Sequence, residues 1–147
     1  DIQFYADTLA TIPEATIAAI DTLNPATLIA GGHERHQNYT ELGKTIDASN
    51  IPTLILFPDT GLRIKESVSR QSVQCFMAES MQEAISLAFK YTGNGKTCLL
   101  SPAAPSFTLF KDYKDEAEQY KEAITSSPKN LELPLPNHQV ISPPRQN

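Results

Sequence analysis

The sequence contains no tryptophan, two cysteines, six glycines and two methionines among 147 residues. Two cysteines are too few for a disulfide-built scaffold. Cys75 and Cys98 stand inside apolar runs (VQCF, TCLL), where free buried thiols in a reducing cytosol are expected, with a single bridge as the alternative. No apolar run approaches the ~20 residues of a membrane span, and no signal peptide opens the chain, so a cytoplasmic protein without a membrane anchor is expected. Cations are in the minority: 12 Lys and Arg against 17 Asp and Glu give a formal net charge of −5. A sequence-independent grip on nucleic-acid phosphates is therefore not expected. The remaining composition is ordinary for a globular protein, 40% hydrophobic and 20% charged, and the length suits one domain with a normal core. The chain opens without methionine and inside what reads as a strand, as expected of a domain within a longer protein.

Five short apolar runs alternate with helical patterns: IQFY (2–5), TLIA (27–30), TLILF (53–57), VQCF (73–76) and TCLL (97–100). TLILF, bounded by Pro52 and Pro58, is apolar almost throughout, the pattern of a strand covered on both faces. Thr11-Ile12-Pro13-Glu14 reads as a capping box with proline in the first turn, followed by Ile17, Ile20 and Leu23 at helical spacing. Asn38 reads as the cap of a helix carrying Leu42 and Ile46, and Ser80 with Glu83 forms a second box, with Gly93 as the stop. A shorter helix is expected over Thr60–Val68. The last helix reads from Phe107 through Phe110, Tyr113, Ala117, Tyr120 and Ile124, at steps of three or four. Strands alternating with helices predict an α/β fold: a doubly wound, mostly parallel, Rossmann-like sheet with helices on both faces. The domain is expected over 1–126. Residues 127–147 carry five prolines and no apolar period, and read as an irregular tail.

In open α/β sheets ligands bind beyond the carboxyl ends of the strands. Three loops leave that edge with useful chemistry: Asp7–Thr11, Gly31–His36 and Ser101–Ser106. The second joins two glycines, which permit close backbone approach, to the planar fork of Arg35. The third runs into a predicted helix start, where free N–H groups favour an anion. Together they describe a pocket for a small anionic ligand. Each group also has a plainer account: Thr11 and Ser106 as helix caps, Arg35 as surface charge, Asp7 as a partner of its own loop. His33 and His36 lack a third neighbour for a metal site. Gly93-Asn94-Gly95-Lys96-Thr97 resembles the end of a phosphate loop but precedes a strand, and reads as a turn.

At these same loops the sequence resembles the C-terminal domain of the Mur ligases, in the branch that adds glutamate to a cell-wall precursor. FYADTLATIPEATIAAI is similar to the family's strand, D-S-K-A-T loop and helix; LIAGGHERHQNYTELG to its glycine-glycine loop with a basic residue; and LLSPAAPSFTLFKDYKDEAEQYKEAI to its L-S-P-A-x-A-S segment and the helix beyond. The resemblance covers residues 2 to about 124. It implies a monomeric three-domain enzyme acting on small molecules: glutamate, ATP and UDP-N-acetylmuramoyl-alanine. In the implied reaction ATP activates the alanine carboxylate as an acyl phosphate, and glutamate's amine attacks it. Mg²⁺ and ATP would be held mainly by a central domain, so this domain alone is not expected to turn over. Carried over by position, Thr11, Arg35 and Ser106 would hold glutamate's carboxylates, the Phe107 backbone and Tyr113 ring would complete the pocket, and Asp7 would face the nucleotide ribose.

The sequence departs from the family pattern at Leu9, where lysine is usual, at Thr108, where an acid is usual, and at Glu116-Ala117, where arginine-glycine is usual. These departures bear on amino-acid specificity, including D- against L-glutamate. Two further readings stand beside the first: a related ATP-dependent ligase, of the kind that polyglutamylates folate, and a non-catalytic module of the same fold.

Overall fold

A computed structural model of the protein describes residues 1–127. Five strands and five helices alternate: β1 (Gln3–Ala6), α1 (Pro13–Leu23), β2 (Thr27–Ala30), α2 (Thr40–Ala48), β3 (Thr53–Leu56), α3 (Gly61–Ser67), β4 (Gln74–Met77), α4 (Met81–Tyr91), β5 (Thr97–Leu100) and α5 (Tyr113–Ser126). The strands form one sheet in the order β1-β5-β2-β3-β4, and every neighbouring pair is parallel. The expected doubly wound sheet is present. The proline-rich tail expected over 127–147 lies, apart from Ser127, outside the described residues.

The topology fixes which face each helix covers. From β1 to β4 the chain moves across the sheet in one direction, so right-handed crossovers keep α1, α2 and α3 on one face. Between β4 and β5 the direction reverses and α4 passes behind. Successive strand residues then feed two cores. Leu28, Leu54 and Leu99 pack with Ile20 of α1, Leu42 and Ile46 of α2 and Ile64 of α3. Their neighbours Ile29, Ile55, Cys98 and Leu100 pack with Ala84, Ile85 and Ala88 of α4 and Tyr120 of α5. That alternation buries β2 and β3 on both sides, which is why TLIA and TLIL are apolar after their first threonine.

Both cysteines are free thiols, Cys98 fully buried and Cys75 half-buried. Burial pushes the Cys98 thiol up to about 12.

Several helix starts differ from the sequence reading. The cap position of α1 is Ile12, no side chain caps it, and the Thr11 box does not form. Thr11 is tied instead through its backbone, its N–H to the Leu9 carbonyl at 2.9 Å and its carbonyl to Gln37 Nε2 at 3.1 Å. Tyr39, not Asn38, holds the cap position of α2, although Asn38 Oδ1 still accepts the Thr40 N–H at 2.9 Å. The Ser80–Glu83 box is real: Ser80 Oγ accepts the Glu83 N–H at 3.1 Å, and the Glu83 carboxylate accepts from Glu79 N–H. α4 ends before Gly93, at extended Thr92, whose hydroxyl shares a buried 2.7 Å hydrogen bond with Thr27. The largest correction concerns α5. Phe107 and Phe110 share its period but precede it; Phe110 N–H closes a single turn on Ser106 O at 3.1 Å, and its ring meets Phe57 edge-on at 5.7 Å. The chain then straightens at Asp112, whose side chain caps the true helix through the Asp115 N–H at 2.8 Å. Ser106 therefore precedes a single turn and does not stand at the N-terminus of α5.

Candidate functional site

The three chosen loops meet at the carboxyl edge, stitched backbone to backbone. Asp7 N–H bonds Leu100 O at 2.7 Å, Ala103 N–H bonds Ala10 O at 2.8 Å, and Gly31 and His33 N–H bond Pro102 O and Pro105 O, each at 2.8 Å. Glycine is needed at both positions of the pair. Gly31 has φ +105°, and a Cβ there would strike the Phe57 carbonyl; at Gly32 it would strike the Pro105 carbonyl.

A fourth loop, which the sequence reading passed over, completes the wall. Asp59 and Thr60 both donate their N–H groups to Gly32 O, at 2.8 and 3.0 Å, and Thr60 Oγ1 accepts the Gly32 N–H at 3.0 Å. Asp59 Oδ2 also accepts the Thr108 hydroxyl at 3.1 Å, joining this loop to the one after β5. The only local signal was that Pro58–Thr60 follow a strand at the same edge.

The groups chosen from sequence fall into two sets. Asp7 is already engaged: Ser101 Oγ donates to its Oδ2 at 3.1 Å, and Thr16 lies 3.0 Å from the same serine oxygen. Thr11 and Ser106 have no side-chain hydrogen bond among the described residues, so neither spends its hydroxyl on capping a helix. Ser106 is buried, Thr11 half-buried, and Arg35 is exposed with no partner among the described residues. Phe107 and Tyr113 are exposed at 63% and 40%, so both rings border open space beside the loops. His33 meets Phe107 edge-on at 6.2 Å.

Around Arg35 the loop is held by charge. Arg63 of α3 grips Glu34 with two bonds, Nε to Oε1 at 2.8 Å and a terminal nitrogen to Oε2 at 2.6 Å. Glu34 Oε2 also accepts the His36 N–H at 2.7 Å. The Arg63 bonds, then the His36 N–H, hold the Glu34 carboxyl down at about 2. Arg63 lies over the Tyr39 ring at 4.9 Å, and Tyr39 OH donates to Ala103 O at 3.0 Å. Gln37 Nε2 bridges the Thr11 and Ala103 carbonyls at 3.1 and 3.3 Å. Arg35 and the Thr11 and Ser106 hydroxyls thus have no side-chain partner among the described residues, beside loops that these hydrogen bonds hold in place.

No protein-family model matches the chain, but curated relatives do. The UDP-N-acetylmuramoylalanine--D-glutamate ligase of Caldanaerobacter subterraneus subsp. tengcongensis is 35% identical over 127 residues, covering 84% of this chain and 28% of that ligase. The enzyme of the same name from Hahella chejuensis is 36% identical over 128 residues, with the same coverage of each. A UDP-N-acetylmuramoyl-L-alanine--L-glutamate ligase from Salinispora tropica is 36% identical over 126 residues, again 84% of this chain and 28% of the relative. The chain is a domain of the Mur ligase C-terminal type. It spans little more than a quarter of the length of these relatives.

Within a Mur ligase domain the three departures take physical form. Leu9 projects 69% exposed from the first loop, leaving Arg35 without a second cation from that segment. Thr108 gains a carboxylate partner from Asp59, in place of carrying an acid itself. Glu116 is 1% exposed in the first turn of α5, and neither carboxylate oxygen has a partner among the described residues. Burial raises its carboxyl to about 8.

Proposed function

We propose that this domain positions glutamate in an ATP-dependent ligase that extends UDP-N-acetylmuramoyl-L-alanine, with Thr11, Arg35 and Ser106 holding the amino acid's carboxylates. The observation that carries the reading is the set of polar groups without protein partners. At an edge stitched together by backbone hydrogen bonds, a guanidinium and two hydroxyls from three loops remain available. Buried or half-buried polar groups are usually satisfied, so the two hydroxyls left open at the sheet's carboxyl edge point to a ligand, with the exposed Arg35 beside them to supply charge. The chemistry suits a dicarboxylic amino acid. Arg35 offers a fork to one carboxylate, and hydroxyls serve the other without adding charge. The amine must be neutral and unencumbered to attack an activated carboxyl group, and none of the three groups would compete for it. Phe107 and Tyr113 border the ligand, and Asp7 keeps one oxygen for the nucleotide ribose.

ATP and Mg²⁺ would be held mainly by a central domain, with only Asp7 of this domain facing the nucleotide. Gly93–Lys96 precedes β5, at the edge opposite the site, and is closed as a turn by the Lys96 N–H on Gly93 O at 3.0 Å. Phosphate activation is assigned to the remainder of a full-length ligase, in the cytoplasm. No helix among the described residues is long and apolar enough to cross a membrane.

The test is phosphate release by the full-length protein with UDP-N-acetylmuramoyl-L-alanine, ATP and each glutamate isomer. Release with one isomer, and none with aspartate or lysine, is expected. Release independent of the added amino acid would defeat the reading. The isomer is the informative arm, because Leu9 changes the charge of the first loop and the relatives include ligases named for both isomers.

A further inference from the structure

The pairing of Glu34 has a consequence for its neighbour. Glu34 and Arg35 are adjacent in one loop, and opposite charges on adjacent side chains attract whenever the geometry allows. Arg35 nevertheless has no partner among the described residues, and both carboxylate oxygens of Glu34 are occupied. The occupying group is itself held: the Arg63 guanidinium lies 4.9 Å from the Tyr39 ring centre, and Tyr39 OH is anchored on Ala103 O at 3.0 Å. The side chains of this pair are partly shielded, at 38% exposure for Arg63 and 29% for Glu34, and a bidentate guanidinium–carboxylate pair is the strongest geometry available to them.

We propose that Arg63 is a positioning residue for amino-acid specificity: by taking both carboxylate oxygens of Glu34, it keeps that carboxylate from neutralising Arg35 and leaves the Arg35 guanidinium for the ligand's carboxylate. This rests on the reading of Arg35 as a glutamate-binding group. Without Arg63, Glu34 becomes an internal competitor placed one residue from the binding cation, and it mimics the ligand's own side chain. The device is absent from the local sequence, since the partners are 29 residues apart. It makes α3, which supplies no ligand contact, a determinant of how strongly the site holds an anion.

The experiment measures glutamate and ATP kinetics of the full-length ligase with four variants: Arg63→Met, Glu34→Gln, the double variant, and Arg35→Met. Arg63→Met should raise the KM for glutamate about tenfold, the scale of a weakened charge-assisted contact, with the KM for ATP unchanged. Glu34→Gln keeps an acceptor for the His36 N–H but has no charge to offer Arg35, so its KM should stay within about twofold of wild type. The double variant should return to within about threefold, because the competing charge is gone. A purely structural pair behaves differently: all three variants would be impaired alike. A double variant as poor as Arg63→Met overturns the proposal. So does a Glu34→Gln enzyme with a tenfold higher KM, and that arm holds even if Arg63→Met does not fold. Arg35→Met separates the two levels. If it alters glutamate kinetics while Arg63→Met does not, only the present proposal fails. If it alters nothing, the reading of the site fails first.

Discussion

Glu34, partly exposed, and Glu116, buried, are glutamates in segments that leave the same edge of the sheet, and they end in opposite states. Glu34 is met by two Arg63 nitrogens and a backbone N–H, and its carboxyl is held down at about 2. Glu116 is fully buried in the first turn of α5 and meets no hydrogen-bond partner among the described residues, and its carboxyl rises to about 8. A helix N-terminus favours a carboxylate by a fraction of a kcal/mol, which cannot offset the desolvation of a buried charge without a partner. The lesson is that the site loop uses its ionised groups in pairs, leaving Arg35 deliberately single. The helix core instead carries an acid, Glu116, whose carboxyl burial raises to about 8, so that it favours the neutral form at pH 7.

The largest expected effect lies at Glu116. Replacing it with methionine, of similar volume, removes the cost of burying an ionisable group, and should stabilise the protein at pH 7 by roughly 2–4 kcal/mol. Urea unfolding of the two proteins measures it; a destabilised Glu116→Met would mean that the carboxyl has a partner after all. The pH dependence sharpens the contrast. Glu116 is protonated more readily folded than unfolded, so its contribution is fully present below its ordinary value of 4.5 and is lost as pH rises through about 8. Glu34 works in the other direction: its contribution is present above 4.5 and is lost as pH falls through about 2. Stability measured from pH 4.5 to 8 should therefore decline in the wild type, and Glu116→Met should flatten that decline. A smaller effect separates the two helix boxes that read alike in sequence. Ser80→Ala removes a real cap and should cost about 1 kcal/mol, whereas Thr11→Ala should leave stability within about 0.5 kcal/mol. Equal losses in thermal unfolding would restore Thr11 to a capping role and remove it from the site.

The fold was legible because β2, β3 and β5 are buried on both faces, which writes an apolar run after the first threonine of each into the sequence. The loops of the site were legible for a topological reason: once strands and helices alternate, the segments after β1, β2 and β5 must share the carboxyl edge. What stayed hidden depends on distance along the chain or on ambiguity in short patterns. Thr11–Glu14 and Ser80–Glu83 have the same spacing, but only the second closes a box, because the backbone of Thr11 is committed to Leu9 and Gln37. Phe107 and Phe110 continue the period of α5 without being helical, since packing of Phe110 on Phe57 is satisfied by a single turn. The ion pair between Glu34 and Arg63, and the bond between Asp59 and Thr108, join residues 29 and 49 positions apart, and nothing local announces either.

The central claim is that Arg35 binds glutamate's carboxylate, and steady-state kinetics of Arg35→Ala in the full-length ligase test it most directly. The glutamate KM should rise strongly and the ATP KM should hold, with kcat/KM for glutamate reduced by ~2–4 kcal/mol, as expected for loss of a charge-assisted contact in a closed site. Unchanged glutamate kinetics with both isomers would make Arg35 a surface charge and contradict the account at its centre.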